Sequence, residues 1–282
     1  MRPVSEESEL RLQHGGAPGG RDVTARDADG TLLGYARLEL PPGDPEAEAE
    51  LVVSPGARRR GIGDALLTRL EAQAGDRPLR VWAHGELPGS AELAAAHGYE
   101  RARVLLQLRR SLEGIDPDPH PALPTGVAVA TFRPGTDEAA WLRVNARAFD
   151  FHPEQGRWTA ADLALREAEP WFDPAGFFLA WRGDPDDGGQ LLGSHWTKVH
   201  PAGDAGPDPI GEVYVLGIDP DAQGMRLGRA LTDLGLAYLR ARGLSHVLLY
   251  VEEDNTAAVS LYERSGFTRF TVDVSWRRTP AS

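Results

Sequence analysis

Short apolar runs along this chain are broken by Gly, Pro and acidic turns, and they alternate with stretches in which apolar residues recur at helical spacing. In the first half, runs near Val23–Asp27 and Leu32–Leu40 joined by Ala28-Asp29-Gly30 read as a hairpin. A strand at Leu51–Val53, a helix at Asp64–Ala74, a strand at Leu79–Ala83, an Ala-rich helix at Ser90–His97 and a strand at Val104–Leu108 follow. Residues Ile115–Gly126 hold too many prolines for a regular element, so 113–126 reads as a linker between domains at 1–112 and 127–282. The second half repeats the order: strand Val127–Phe132, helix Asp137–Phe149, a second helix capped at Thr159, and strands at Phe177–Trp181 and Leu191–Val199. Then come strand Glu212–Ile218, helix Arg229–Arg242, strand Val247–Val251, helix Thr256–Ser265 and strand Phe267–Trp276. Each half is therefore expected to be α/β, a mixed sheet with helices on its faces.

The order recurs in detail at one place. Glu212–Gly228 runs from an apolar strand through a Gly-containing loop into a helix, and Glu50–Gly63 does the same. Pro55 with Pro220, Arg58 with Gln223 and Gly63 with Gly228 all stand 165 residues apart. A loop of this kind presents unpaired backbone N–H groups and the positive end of a helix dipole, which suits a diphosphate.

Composition narrows the partners. The 282 residues suit about two domains. A net charge of −12 speaks against nucleic acid, and Arg58-Arg59-Arg60 sits inside the first loop, where a small anion explains it. No run of apolar residues is long enough to span a membrane and no secretory leader is evident, so a cytoplasmic protein is expected. The sequence has no cysteine, which removes disulfides, thiolate metal sites and cysteine nucleophiles together. His195 and His200 stand at a spacing that points them to opposite faces of a strand, so no metal is expected. Lys198 is the one lysine among 30 basic residues, a compact point charge where coding bias favours arginine.

The pattern Gln/Arg-x-x-Gly-x-Gly/Ala after an apolar strand is the acyl-CoA signature of the GCN5-related N-acetyltransferases. Arg58–Gly63 matches it in full; Gln223–Gly228 has Arg226 where the middle glycine belongs. The block Tyr250–Phe267, with Asn255 at a helix start and Tyr262 on the helix, resembles the family's next motif. Longer segments narrow the resemblance to the mycothiol synthases, tandem acetyltransferases of actinobacteria: Ala83-His84-Gly85, His152–Gly156, Trp158-Thr159, Trp171–Pro174, His195–Pro201, Gly211–Gly217 and Tyr250–Phe267. The resemblance covers the second half and most of the first. It implies two tandem acetyltransferase domains with mostly antiparallel sheets. It also implies acetyl transfer from acetyl-CoA to the cysteinyl amine of cysteinyl-glucosaminyl-inositol, a small pseudodisaccharide thiol; a monomer is expected, although no motif in the sequence sets the oligomeric state.

Direct acylation of an amine needs a base for the ammonium, a donor for the thioester carbonyl and an acid for the departing thiolate. Glu212 is the expected base, the Leu216 amide the donor and Tyr262 the acid. By the resemblance, Glu6, Glu154, Lys198, Glu212 and Tyr250 line the acceptor pocket. Acetyl-CoA lies against Leu216, Gly217 and Ile218, then Gln223, Gly224, Met225, Arg226, Leu227, Gly228 and Arg229, then Asn255, Thr256, Ala257, Ala258, Val259 and Ser260. A second site matches Leu51, Val52 and Val53 with Arg58, Arg59, Arg60, Gly61, Ile62 and Gly63. Read without the resemblance, Lys198 and Glu154 are ordinary solvated charges, while for Glu212 and Tyr262 the plainer alternatives are a strand-end surface carboxylate and a packing ring.

The halves differ at the working positions. The simplest alignment puts Ala47, Leu87 and Ala94 opposite Glu212, Asn255 and Tyr262, so the first half reads as a non-catalytic copy that still holds an anion. Two departures stand out. Arg226 is expected either to strain its loop, if the position needs a glycine conformation, or to pair its guanidinium with a phosphate, and to weaken acetyl-CoA binding without abolishing it. The family's helical segment before the region matching Pro3–Glu6 is missing, which reads either as a misassigned start or as a trimmed first domain. Two other readings are an acetyltransferase for a different amine, such as an aminoglycoside or a protein N-terminus, and a non-catalytic acyl-CoA sensor.

Overall fold

The computed structural model describes residues 21–40, 43, 45–85, 87, 89–150 and 155–279. They group into two compact units: the described parts of Met1–Gln107, Glu252–Asn255 and Phe270–Ser282 form the first, and those of Leu108–Val251 and Thr256–Arg269 the second. The proline-rich stretch expected as a linker groups with the second unit, and the end of the last strand with the first.

In the first unit, β1 (Arg21–Arg26), β2 (Leu32–Glu39) and β3 (Ala47–Val53) pair antiparallel in order. Helix α1 (Ile62–Ala74) then crosses to β4 (Leu79–Ala83), parallel to β3. After α2 (Ser90–Ala96) comes β5 (Glu100–Ser111), whose end lies in the second unit. The far edge of β4 pairs antiparallel with Val274–Arg278 of the last strand, β11 (Thr268–Arg278). Leu66, Leu67 and Leu70 of α1 bury against Ala36, Leu38 and Ala49, making this unit's core.

The second unit repeats the plan. Strands β6 (Val127–Thr131), β7 (Phe177–Arg182), β8 (Gln190–His200) and β9 (Ile210–Ile218) pair antiparallel in sequence. Helix α5 (Leu227–Ala241) crosses to β10 (His246–Glu252), parallel to β9, and α6 (Thr256–Arg264) follows. Helices α3 (Glu138–Ala148) and α4 (Ala160–Glu167) come between β6 and β7. Thr159 and Asp162 form the reciprocal cap that opens α4, as the sequence suggested. One face of the sheet is aromatic: Trp196 stacks on Phe177 at 4.5 Å, with Trp141 edge-on to both. The other face packs on α5, where Gly235 lets the helix approach; a Cβ there would lie 2.1 Å from the His195 ring. Each half is thus α/β, with a mixed, mostly antiparallel sheet.

Candidate active site

The register of β8 against β9 slips once. Trp196 faces Val215 and Thr197 faces Val213, which leaves Tyr214 as an extra residue. A bulge re-aims the side chains beside it. Glu212, on the far side of the bulge, stands directly across from Lys198, and His200, across from Ile210, is its diagonal neighbour. The His200 Nε2 lies 2.5 Å from Glu212 Oε2, and both residues are buried. Lys198 is buried too, its Nζ 4.5 Å from the Trp171 ring centre and 5.3 Å from that of Tyr214. Leu248 of β10 pairs beside Glu212, so Tyr250, two residues on and 43% exposed, shares that face. Of the expected acceptor-pocket residues, Lys198, Glu212 and Tyr250 come together on one face. Glu6 and Glu154 lie outside the described residues.

Four residues past Glu212, the half-buried Leu216 pairs with His195 just before the loop. Gly217 and Ile218 follow; a Cβ on Gly217 would come within 3.0 Å of the Phe149 ring. The loop is pinned by Asp219, whose carboxylate accepts from the Asp221 N–H at 2.9 Å and from Arg147 at 3.0 Å. Gln223, Gly224 and Arg226 are exposed, and Met225 packs on the core under α5. Leu227, Gly228 and Arg229 form the first turn of α5, with the Arg229 guanidinium held by Asp233 at 2.9 Å.

The two loops share a backbone shape that their sequences hide. Gly224 and Arg226 stand at φ +81° and +62°, Arg59 and Gly61 at +62° and +79°. Both loops need two left-handed residues, and glycine and arginine trade places between them. A Cβ added at Gly61 would meet nothing within 4 Å. A side chain at this position therefore costs conformational strain of about 1 kcal/mol without distorting the loop. The left-handed backbone expected to strain Arg226 is therefore present, at φ +62°, in a loop whose shape is unchanged.

On α6, Tyr262 is buried edge-on to Phe267 at 5.7 Å. Burial pushes its phenol well above the ordinary value of 10.0, so it stays protonated. Asn255 groups with the first compact unit, whereas Thr256, Ala257, Ala258, Val259 and Ser260 lie on α6 in the second.

In the first unit a cavity of about 440 Å³ is lined by Leu51, Val52, Val53, Arg58, Arg59, Gly61, Ile62 and Gly63, so eight of the nine residues expected at a second acyl-CoA site surround one space. Arg60 is exposed outside it. His84 closes part of the wall, with Nδ1 3.2 Å from Asp273 and Nε2 3.6 Å from Glu50. Burial disfavours its charge, but the two carboxylates outweigh it and push its pKa up to about 10.

The β2–β3 ladder has no slip: Gly34 faces Val53 and Glu39 faces Glu48. Matched from the loop end, where Gly193 faces Ile218, the residue in the place of Glu212 is Glu48, not the Ala47 of the sequence alignment. Glu48 stands opposite Glu39 with its side chain 40% exposed and 3.8 Å from Arg80. The first half thus carries a carboxylate at the position matching Glu212, in a different setting, and lacks the tyrosine. Sequence reasoning missed His200 as a partner of Glu212, because it weighed the two histidines only as metal ligands. Structurally they do face opposite ways, His195 to Leu231 of α5 and His200 to Glu212.

Comparison with known proteins agrees with this geometry. The acetyltransferase (GNAT) family profile matches residues 3–99 and 141–267. The mycothiol acetyltransferase of Geodermatophilus obscurus is 76% identical over 99% of this chain and 89% of its own length. That of Thermobispora bispora is 55% identical over 99% and 90%. Among solved structures, a GCN5-related N-acetyltransferase from Sphaerobacter thermophilus superposes with a TM-score of 0.74 at 25% identity, covering 99% of this chain and 87% of that one. A tandem GNAT protein from the clavulanic acid pathway shares the fold, with a TM-score of 0.73 at 24% identity over 100% and 90%. The chain belongs to the acetyltransferase (GNAT) family, carries the family's region twice, and is an acetyl-CoA-dependent N-acetyltransferase.

Proposed function

We propose that the second half transfers the acetyl group of acetyl-CoA to the cysteinyl amine of cysteinyl-glucosaminyl-inositol, forming mycothiol. The observation that carries this reading is the buried Glu212, set one strand-length before the diphosphate loop and on one face with Lys198 and Tyr250. The naming of relatives as similar as 76% supports the acceptor, and a hydroxyl-rich acceptor is well served by charged groups from several strands.

Glu212 takes a proton from the acceptor ammonium, and the freed amine attacks the thioester carbon. The Leu216 N–H receives the oxyanion as the carbonyl π bond opens. Collapse reforms that bond and breaks the C–S bond, and Tyr262 gives its proton to the thiolate. The second proton lost by nitrogen restores the phenol, so the products are the amide, CoA thiol and one proton on Glu212 that passes to solvent. Diphosphate binding falls to the N–H groups at the start of α5. The first half holds a second acetyl-CoA in its cavity without turnover, since Ala94 replaces the acid.

The test is release of CoA thiol with cysteinyl-glucosaminyl-inositol, an aminoglycoside and a peptide N-terminus as acceptors. Turnover with the first alone supports the proposal. Turnover with another amine instead overturns the acceptor, and none with any amine leaves the sensor reading. Glu212→Gln and Tyr262→Phe should each lower kcat by about 100-fold or more while acetyl-CoA still binds; wild-type turnover in both defeats the mechanism.

A further inference from the structure

We infer that His200 is the positioning residue for Glu212: its Nε2–H holds Oε2 and thereby presents Oε1 to the acceptor amine. This rests on Glu212 being the base.

Three observations carry it. The Nε2–Oε2 contact is 2.5 Å, between side chains 4% and 5% exposed. A carboxylate is acceptor-only when ionised, so the hydrogen between them belongs to Nε2. The other ring nitrogen, Nδ1, is buried with no hydrogen-bond partner among the described residues. A bare buried N–H would be costly there, which favours the tautomer with its lone hydrogen on Nε2. The ring is therefore tied down at one atom, and that atom is spent on Glu212.

Stability alone is a poor reason for this pair. Buried polar pairs on a sheet face are commonly matched or bettered by apolar residues of similar volume, and the same face already carries a packed aromatic cluster. A base, in contrast, gains from a fixed rotamer. A carboxylate free to swing presents either oxygen at a range of angles, and misplacement by about 1 Å can cost on the order of 100-fold in rate. The bulge at Tyr214 brings the pair together. Glu212 sits across from Lys198, His200 lies one diagonal step away, and the acceptor-facing residues stand beside them. In the first half Glu48 faces Glu39 instead, so the carboxylate alone does not distinguish the two halves.

The experiment uses the full chain with acetyl-CoA and cysteinyl-glucosaminyl-inositol. His200→Leu removes the donor at similar volume, His200→Gln keeps an N–H of adequate reach, and His200→Asn keeps one that falls short. Each is compared for kcat and for KM of acetyl-CoA, with circular dichroism to verify folding. Expected are a kcat about 10- to 100-fold lower in His200→Leu and His200→Asn with the acetyl-CoA KM within about twofold of wild type, and recovery of most of the loss in His200→Gln. On a Glu212→Gln background, His200→Leu should change the residual rate by less than about twofold, because its only route is through Glu212. A folded His200→Leu with wild-type kcat overturns the inference, as does a full additive loss in the double variant. If His200→Leu does not fold, equal turnover in His200→Gln and His200→Asn overturns it. Failure of the base assignment looks different: Glu212→Gln itself would keep its turnover.

Discussion

His195 should make the second unit acid-sensitive by an amount that the structure sets. The ring is fully buried between β8 and α5, with Nδ1 2.7 Å from the Leu231 carbonyl. A carbonyl only accepts, so Nδ1 carries the hydrogen, and Nε2 has no hydrogen-bond partner among the described residues. Burial lowers the ring's pKa from 6.5 to about 4, against the smaller opposing pull of the Leu231 bond. The unfolded chain takes up this proton near pH 6.5 and the folded one only near pH 4. Between those values the unfolded state binds more protons, so stability is complete above pH 6.5 and is lost as pH falls toward 4. The full loss is roughly 3 kcal/mol, of which about 2 kcal/mol is reached by pH 5. The measurement is denaturant unfolding followed by tryptophan fluorescence at pH 7.5 and pH 5.0, in wild type and His195→Asn. The variant is less stable at both values because it loses packing, so the readout is the change with pH. Wild type should lose about 2 kcal/mol more than the variant over that interval. Equal losses would refute the argument that burial holds this ring neutral. The same protonation would push α5 from β8, where His195 pairs with Leu216 of β9, so acetyl-CoA binding should weaken in parallel.

Gly235→Ala puts a Cβ where the His195 ring now sits and should cost about 1–3 kcal/mol by forced repacking, read as a lower denaturant midpoint; unchanged stability would mean that the ring is not wedged against the helix. Arg226→Gly relieves a left-handed side chain but adds unfolded-state freedom, so stability should move by less than about 1 kcal/mol. Its acetyl-CoA KM should rise about three- to tenfold if the exposed guanidinium pairs with phosphate, and an unchanged KM removes that role. Equilibrium dialysis should give two acetyl-CoA per chain, falling to one in Gly63→Leu, whose Cβ already comes within 3.3 Å of Leu93 in the first cavity; one per chain in the wild type would dismiss the second site.

Local signals in the sequence were faithful. The cap at Thr159, the loop entering α5 and the ends of β4 at Leu79 and Ala83 lie where side-chain pattern and turn chemistry put them. The misses are pairings. Strand β5 begins at Glu100, four residues before its apolar run, because Arg103 pairs with Glu252 and Arg101 with Glu253, contacts across about 150 residues that leave no periodic trace. The antiparallel match of Val274 with Ala83, which draws the chain's end into the first unit, is equally silent.

The most consequential miss is one residue wide. The ladder steps from Val215 to Val213 as it passes from Trp196 to Thr197, so Tyr214 is the inserted residue, and a bulge inserts a residue without changing the apolar pattern around it. An alignment blind to it slips the upstream strand by one and turns every side chain to the other face. That slip is why Ala47 looked like the counterpart of Glu212 and the first half looked stripped of its base. With the slip corrected, both halves carry a glutamate there, and the two glutamates differ in what faces them: Lys198 directly and His200 diagonally in one case, Glu39 in the other. Under the proposed mechanism, competence for proton abstraction is then a property of the neighbouring strand, set by a register that only the folded ladder reveals.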